Sequence, residues 1–102
     1  AVGGFKVYPS TIEKLLYHNP AVKEALVIGV PDAYRGEAPR AFVTLNTGAG
    51  ETSDVELAKW LNGQLGKHER VDAVVVRDTL PKTMVGKLDR KALRAELAKE
   101  EG

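Results

Sequence analysis

Apolar residues along the chain follow two patterns, and the first of them predicts strands. The segments 25–30 and 71–76 are continuous apolar runs rich in β-branched residues, which is typical of strands covered on both faces. The segment 40–45 follows a turn-rich stretch and predicts another strand, paired antiparallel with 25–30 through a long loop. Residues 5–8 predict a short strand that Pro9 ends. We expect the 25–30 strand to be central in its sheet.

The second pattern places apolar residues at helical spacing and predicts three helices. Ser10 and Glu13 form a capping-box sequence before the first helix, and Ser53 and Glu56 form another before the second. Asp89 is a candidate N-cap for the last helix. The apolar stripes of the three helices are Ile12, Leu15 and Leu16, then Leu57, Trp60, Leu61 and Leu65, and finally Leu93 and Leu97.

The order of these elements predicts the fold class. It runs strand, helix, two strands, helix, strand, helix, with the first helix ending near residues 18–20. We predict a single small α+β domain over 1–102, in which helices flank a mainly antiparallel sheet of about three core strands plus short edge strands. A parallel doubly wound sheet is the alternative.

Composition excludes several classes of protein and of site. The chain has 102 residues, of which 43% are hydrophobic and 28% charged, and its formal net charge is +1. These values fit one globular domain and argue against disorder and against nucleic-acid binding driven by the charge of the whole domain. No cysteine is present and there are two histidines, so no metal site is predicted. A cytoplasmic location is expected, and no apolar stretch has the length of a membrane span.

The strongest candidate for chemistry is the loop that precedes the last helix. The segment 77–94 contains six basic and two acidic residues, so its local charge of +4 exceeds that of the whole chain. Lys87 follows Gly86 there, and an ammonium group held on a tight loop suits a phosphate or a carboxylate. A solvated surface lysine is the simpler alternative. A nucleotide-binding P-loop is excluded, because Pro81 and Leu88 stand where it requires Gly and Ser or Thr.

Three motifs in the same order and spacing carry a family resemblance. They are GGFKVYPSTIE at 3–13, the groups GVPD, RGE and AFV between 29 and 43, and LPKT followed by GKL and RK between 80 and 91. Together they resemble the C-terminal domain of the adenylate-forming superfamily, which includes acyl-CoA synthetases, luciferases and peptide-synthetase adenylation domains. Within that superfamily the chain is most similar to fatty-acyl-CoA ligases.

The resemblance implies a mobile C-terminal lid domain of an AMP-forming ligase for medium- to long-chain fatty acids. ATP and CoA would be substrates of the parent enzyme, Mg²⁺ would be held mainly by the N-terminal domain of the same polypeptide, and this chain alone would bind none of them and be inactive. A start without methionine fits excision from a longer chain. Lys87 matches the catalytic lysine of adenylation, whereas Gly3, Gly4 and Lys6 match the loop beside the CoA channel after the domain rotates.

The remaining motif residues have less specific assignments. Glu13 and Glu37 match motif positions and are expected to be mainly structural. Arg35 and Arg40, like Lys6, are candidates for contact with CoA phosphates or with the companion domain. The competing interpretation is a basic binding module for an acidic carrier protein or nucleic acid. Because no aromatic residue accompanies the bases of 77–94, nucleic acid is not expected as a partner.

Overall fold

A three-stranded sheet with helices on both of its faces forms the centre of the molecule. The computed structural model describes residues 8–50 and 52–101. The elements are α1 (Pro9–Leu16), β1 (Val22–Asp32), β2 (Gly36–Leu45), α2 (Asp54–Asn62), β3 (Ala73–Val76) and α3 (Arg90–Glu101). The predicted α+β class is confirmed.

The sheet is mixed, and its longer pairing is antiparallel, as predicted. Its order is β1-β2-β3, with β1 antiparallel to β2 and β2 parallel to β3. The parallel pairing arises because the chain crosses over through α2 before it returns as β3. The prediction that the 25–30 strand is central was wrong, since β2 is the middle strand of the described sheet. The apolar run in β1 reflects helices on both faces and not a middle position.

Both faces of the sheet are buried, as the apolar run in β1 predicted. On one face β1 and β2 pack against α1 and α2, and on the other they pack against α3. The first core contains Ile12, Leu16, Val22, Ala25, Val27, Ala41, Val43, Leu57, Leu61, Leu65, Val71 and Val74. The second contains Leu26, Ile28, Val30, Phe42, Leu80 and Leu93.

The connection from β1 to β2 is a tight turn of three residues, 33–35, and not the long loop that was predicted. The Asp32 carboxylate accepts hydrogen bonds from the backbone N–H groups of Tyr34 and Arg35, at 2.8 and 3.0 Å. These bonds lower the pKa of Asp32, the bond from Arg35 most strongly. Gly36 then takes a positive φ of 85°, which lets the chain reverse.

The capping box predicted at Ser10 is absent. Helix α1 begins at Pro9 with Tyr8 as its N-cap and no side-chain cap. Proline suits the first helical position because its missing N–H would have no partner there. Ser10 therefore lies inside the helix, which ends at Leu16, before the predicted 18–20. Residues 5–7 of the predicted first strand lie outside the described residues.

The caps of the other two helices follow the sequence pattern. The Ser53 hydroxyl accepts from the Glu56 backbone N–H at 3.2 Å and caps α2. The Asp89 carboxylate accepts from the Ala92 backbone N–H at 2.9 Å at the start of α3. Helix α2 ends before Leu65, which is nevertheless buried in the first core. Both caps involve residues three apart, so local sequence was sufficient to predict them.

Candidate functional site

Residues 81–89 form a short hairpin between β3 and α3, and this hairpin carries Lys87. Lys82 and Leu88 form an antiparallel bridge. The Asp89 backbone N–H donates to the Pro81 carbonyl at 2.9 Å, and the Thr83 N–H donates to the Lys87 carbonyl at 2.7 Å. The backbone on both sides of the turn is therefore held by hydrogen bonds, and we call this segment the Lys87 hairpin.

The tip of the Lys87 hairpin is a three-residue loop with a glycine in the left-handed region. The Gly86 N–H donates to the Thr83 carbonyl at 2.9 Å, and Gly86 has a φ of 84°. The Thr83 hydroxyl also accepts from the Lys87 backbone N–H at 3.2 Å. Three-residue hairpin loops commonly place glycine at this position. Thr83 and Gly86 together fix where the backbone of Lys87 lies.

The base of the hairpin is anchored to the second core and to β1. Leu80 is buried there, and Leu88 is partly buried against the same cluster. The Lys82 ammonium lies 2.8 Å from the Glu24 carboxylate on β1. The hydrogen bond from Lys82 lowers the pKa of Glu24; partial burial opposes this, and a further bond from Thr44 acts in the same direction as Lys82. Lys82 therefore holds the hairpin against the sheet.

The Lys87 side chain, in contrast, is exposed at the end of this rigid support. Within residues 8–50 and 52–101, no carboxylate lies at ion-pair distance from its ammonium group. Its neighbours at the tip, Met84 and Val85, are also exposed, with relative exposures of 105% and 81%. The structure thus presents a cation that is available to an anion from outside the domain.

A second set of contacts fixes the chain just after Lys87, and sequence reasoning missed it. The Arg90 guanidinium donates to the Glu13 carboxylate at 2.6 Å and to the Val27 carbonyl at 3.0 Å. Glu13 also accepts from the Val27 backbone N–H at 2.8 Å. Two side chains thus satisfy the backbone of β1 at its open edge and join α1, β1 and α3. Glu13 is structural, as predicted, although it acts here and not in a capping box.

Two of the other predicted basic candidates, Arg35 and Arg40, are engaged within the domain. Arg35 donates to the Arg70 carbonyl at 2.8 Å and lies 3.5 Å from the Asp32 carboxylate. Arg40 forms a two-point contact with Asp72, at 2.7 and 3.1 Å. A guanidinium with such partners is positioned by the fold, and contact with a CoA phosphate would have to share or break these bonds.

The Glu37 side chain lies directly against Gly29, and both residues belong to the middle motif. A Cβ atom at Gly29 would collide with the Glu37 side chain. The pair stands in neighbouring strands next to the β1–β2 turn. Glu37 is itself exposed, so the structural role expected for it stays a prediction.

The three residues predicted to line a CoA channel, Gly3, Gly4 and Lys6, lie outside the described residues and stay predictions. In the part of the chain that the structure describes, no group of three or more His, Asp or Glu side chains is arranged to hold a metal ion. No helix there has the length and apolar character needed to cross a membrane. A groove of about 550 Å³ between α2 and β3 contains none of the predicted site residues.

Comparison with protein families and curated sequences supports the resemblance found in the motifs. The model of the AMP-binding enzyme C-terminal domain matches residues 11–87. Long-chain-fatty-acid–CoA ligase from Bacillus subtilis (strain 168) is 42% identical over 94 residues, which are 92% of this chain and 17% of the relative. 4-Coumarate–CoA ligase 1 from Glycine max is 36% identical over 95 residues, 93% of this chain and 32% of the relative.

Solved structures agree with this in three dimensions. The ATP-bound MatB from Rhodopseudomonas palustris superposes with a TM-score of 0.82 at 36% identity, covering 92% of this chain and 18% of that chain. A fatty acyl CoA synthetase from Mycobacterium tuberculosis has a TM-score of 0.82 at 28% identity, covering 96% and 19%. The chain thus spans less than a third of the length of each of these relatives.

Proposed function

We propose that this chain, which belongs to the AMP-binding enzyme C-terminal domain family, is the mobile C-terminal lid of an AMP-forming acid–CoA ligase. The companion N-terminal domain of the same polypeptide holds the nucleotide and the acid, and the lid alone does not turn over substrate. Lys87 is the catalytic residue of the lid. The family match and the acid–CoA ligases among its relatives support this assignment.

The observation that carries the proposal is the difference between two lysines of one hairpin. Lys82 is paired with Glu24 and serves to anchor the base. Lys87 has a backbone fixed by Thr83 and an exposed ammonium group. A lysine with a structural role is expected to pair with a carboxylate of the domain, as Lys82 does. Lys87 instead has a backbone fixed by hydrogen bonds and an ammonium group that an external anion can reach.

The chemistry of adenylation needs a positioned cation. A carboxylate oxygen of the acid attacks the α-phosphorus of ATP, the bond from this phosphorus to the bridging oxygen of the β-phosphate breaks, and pyrophosphate leaves. Acyl-adenylate remains. Two anions must approach each other, and negative charge shifts onto the phosphate oxygens and the leaving pyrophosphate in the transition state. The Lys87 ammonium stabilises this charge, and because its support is rigid it requires little reorganisation.

The second half-reaction uses another face of the lid. The CoA thiol loses its proton and its sulfur attacks the acyl carbonyl carbon. The bond from this carbon to the phosphate oxygen of AMP breaks, so AMP leaves as the thioester forms. We assign Gly3, Gly4 and Lys6 to the channel through which the pantetheine arm enters, on the strength of the motif at 3–13. A residue without a side chain at Gly4 leaves room for that arm.

We assign a medium- to long-chain fatty acid as the substrate. A long-chain-fatty-acid–CoA ligase and a fatty acyl CoA synthetase are among the relatives. The 4-coumarate–CoA ligases are similar to the chain at 36–38% identity, so an aromatic acid is the competing substrate. Because the acid lies in the companion domain, a panel of palmitate, dodecanoate and 4-coumarate on the longer protein distinguishes them. Higher kcat/KM for 4-coumarate would overturn the fatty-acid assignment.

ATP and CoA are the other substrates in this proposal, and Mg²⁺ belongs to the companion domain. The described residues of this chain offer no cluster of acidic or histidine ligands to hold that ion. When bound beside the nucleotide, the ion would neutralise phosphate charge. The residues of this chain contribute the lysine and its support.

The alternative of a basic binding module is less well supported by the charges. Of the six basic residues in 77–94, Arg77, Lys82 and Arg90 form ion pairs with Glu96, Glu24 and Glu13. Half of these basic residues are therefore paired with a carboxylate within the domain. A surface that follows a phosphate backbone would need several of these cations at once.

The test is Lys87→Ala in the longer protein that carries this sequence. Pyrophosphate release from acid and ATP should fall by roughly 10²- to 10³-fold, because one preorganised charge-stabilising group is lost. Thioester formation from supplied acyl-adenylate and CoA should stay near wild type. Lys91→Ala is the matched control, since Lys91 is equally exposed and stands one residue into α3. Equal loss in both variants would replace the catalytic lysine with a diffuse effect of charge.

The assignment of Gly4 has its own test. Gly4→Trp in the longer protein should block thioester formation while acyl-adenylate still accumulates, because the indole ring fills the channel only when this loop faces the site. If both half-reactions fall together, a backbone effect of replacing glycine explains the result and the channel assignment is wrong.

A further inference from the structure

The tip of the Lys87 hairpin carries two apolar side chains that pack on nothing in the described domain. Met84 and Val85 have relative exposures of 105% and 81%, which means that their side chains are almost entirely in water. A single exposed apolar residue is common on protein surfaces. Met84 and Val85, however, are adjacent. They form a small apolar surface at the tip of the hairpin, close to the exposed Lys87.

The residue types at the tip are also unusual for a turn in water. Turns favour Gly, Asn, Asp, Ser and Pro, which hydrogen-bond locally or tolerate the backbone angles. Gly86 follows this rule, whereas Met84 and Val85 supply neither a local hydrogen bond nor conformational freedom. Among residues 8–50 and 52–101, no packing contact accounts for apolar side chains at these two positions.

The hairpin cannot hide these side chains by folding back. Hydrogen bonds from Gly86 to Thr83 and from Thr83 to Lys87 fix the loop, and Lys82 with Leu88 fixes its base. The backbone of the tip and that of Lys87 are consequently held together as one unit. Wherever Lys87 is brought to act, Met84 and Val85 arrive with it, because they lie three and two residues before it.

We propose that Met84 and Val85 are positioning residues that pack against an apolar wall of the companion domain when Lys87 enters the adenylation site. This inference rests on the proposed function and adds what holds the lysine there. The chain covers 17–19% of its ligase relatives in several comparisons, so the acid and nucleotide sites that Lys87 must reach lie in protein outside these residues. Apolar contact is not directional, so it can retain the tip without competing for the lysine charge.

The test is the double variant Met84→Ser, Val85→Ser in the longer protein, with the two half-reactions measured separately. Pyrophosphate release should fall roughly 10- to 100-fold in kcat/KM, from the lost burial of two apolar side chains. Thioester formation from supplied acyl-adenylate should be unchanged, because the tip then faces away from the site. Met84→Leu alone should lower pyrophosphate release little, since leucine preserves the apolar volume of methionine.

Val55→Ser is the matched control, because Val55 is an exposed valine on α2 with a relative exposure of 64%. It should alter neither half-reaction. The melting temperature of the tip variant should equal that of wild type, since the replaced side chains have no partners in the domain. A fall in both half-reactions together with the melting temperature would overturn the positioning role.

The outcomes separate this inference from the proposed function. If Lys87→Ala lowers adenylation and the tip variant does not, Lys87 keeps its role and the docking of Met84 and Val85 is refuted. If neither variant lowers adenylation, both proposals fail. Co-sedimentation with phosphatidylcholine–phosphatidylglycerol vesicles checks a lipid surface as the occupant. Vesicle binding that the tip variant loses, with adenylation intact, would overturn docking on the companion domain.

Discussion

Two tight turns of this domain each combine a basic residue with a glycine of positive φ, but the two basic side chains differ in their contacts. The β1–β2 turn contains Arg35 followed by Gly36, and the Lys87 hairpin contains Gly86 followed by Lys87. Both glycines have a φ near 85°. Each turn also exposes large hydrophobic side chains almost completely: Tyr34 at 96% in the first, and Met84 at 105% and Val85 at 81% in the second.

The difference lies in what each basic group contacts. The Arg35 guanidinium reaches Asp32 and the carbonyl of Arg70, so the charge serves to join two loops of the domain. The Lys87 ammonium has no ion-pair partner among residues 8–50 and 52–101. A glycine and a cation on a turn therefore do not by themselves indicate a site. The indication comes from a rigid backbone combined with a charge that the fold does not use.

The largest expected effect is that Arg35→Ala and Lys87→Ala show opposite defects, the first in stability and the second in adenylation. Arg35→Ala should lower the free energy of unfolding by about 1–2 kcal/mol, because a mostly buried guanidinium loses a hydrogen bond and an ion pair. It should leave adenylation by the longer protein unchanged. Lys87→Ala should do the reverse, with no change in melting temperature and a loss of roughly 10²- to 10³-fold in pyrophosphate release. Loss of adenylation in Arg35→Ala at full stability would place both turns at the site.

The Arg90 contacts give the next largest effect. Arg90→Ala removes the partner of the mostly buried Glu13 carboxylate and the donor to the Val27 carbonyl, and it should lower the free energy of unfolding by about 1–3 kcal/mol. Denaturant titration of this chain measures it. Arg94→Ala, an exposed arginine of the same helix, is the control and should change stability little. Equal effects of the two would show that the Glu13 contact contributes nothing measurable.

A smaller effect is expected from the glycine at the hairpin tip. Gly86→Ala should lower the free energy of unfolding by about 1 kcal/mol, because alanine disfavours a positive φ and the added Cβ meets nothing within 4 Å. Gly48→Ala, at a φ of 86° and with equally open space, is the matched control for stability. Only Gly86→Ala should also lower adenylation, by roughly 10-fold, through displacement of Lys87. Equal adenylation in the two variants would mean that the hairpin backbone does not position the lysine.

The smallest effect concerns pH. The pKa of Glu24 lies below its usual 4.5, chiefly because of the hydrogen bond from Lys82. A carboxyl group with a lowered pKa in the folded state stabilises the fold above its unfolded pKa, and this stabilisation is lost as the pH falls through the folded pKa. The stability of this chain should therefore decline below about pH 4.5, and Glu24→Gln should flatten that decline. An unchanged slope in Glu24→Gln would assign the pH dependence to other carboxylates, of which Asp32 is the first candidate.

The accuracy of sequence-based prediction differed between local and distant contacts. The caps at Ser53 and Asp89 were predicted correctly, because each joins residues three positions apart. The cap at Ser10 was wrong. Pro9 begins that helix, and Glu13, which the capping box would have used, is bound to Val27 and Arg90 instead. Val27 and Arg90 lie 14 and 77 positions from Glu13, and they bind its carboxylate in place of the local capping contact. No periodicity in the sequence indicates these distant contacts.

The amino-acid sequence by itself determined the three strands and three helices that the structure describes, the two-sided burial of β1 and the motif that contains Lys87. These follow from apolar periodicity and from short-range turn and capping preferences, which act between neighbours in the chain. The sequence also indicated the family, through three motifs in order.

Only the tertiary structure decided which strand is central and which cations are free. The strand order depends on the crossover through α2, since it is the packing of this helix that brings β3 parallel to β2. Lys82 and Lys87 are the same residue type, five positions apart in one loop, and nothing local distinguishes their charges. Glu24 of β1 lies beside one of them and not the other, because the packing of the hairpin on the sheet sets these distances.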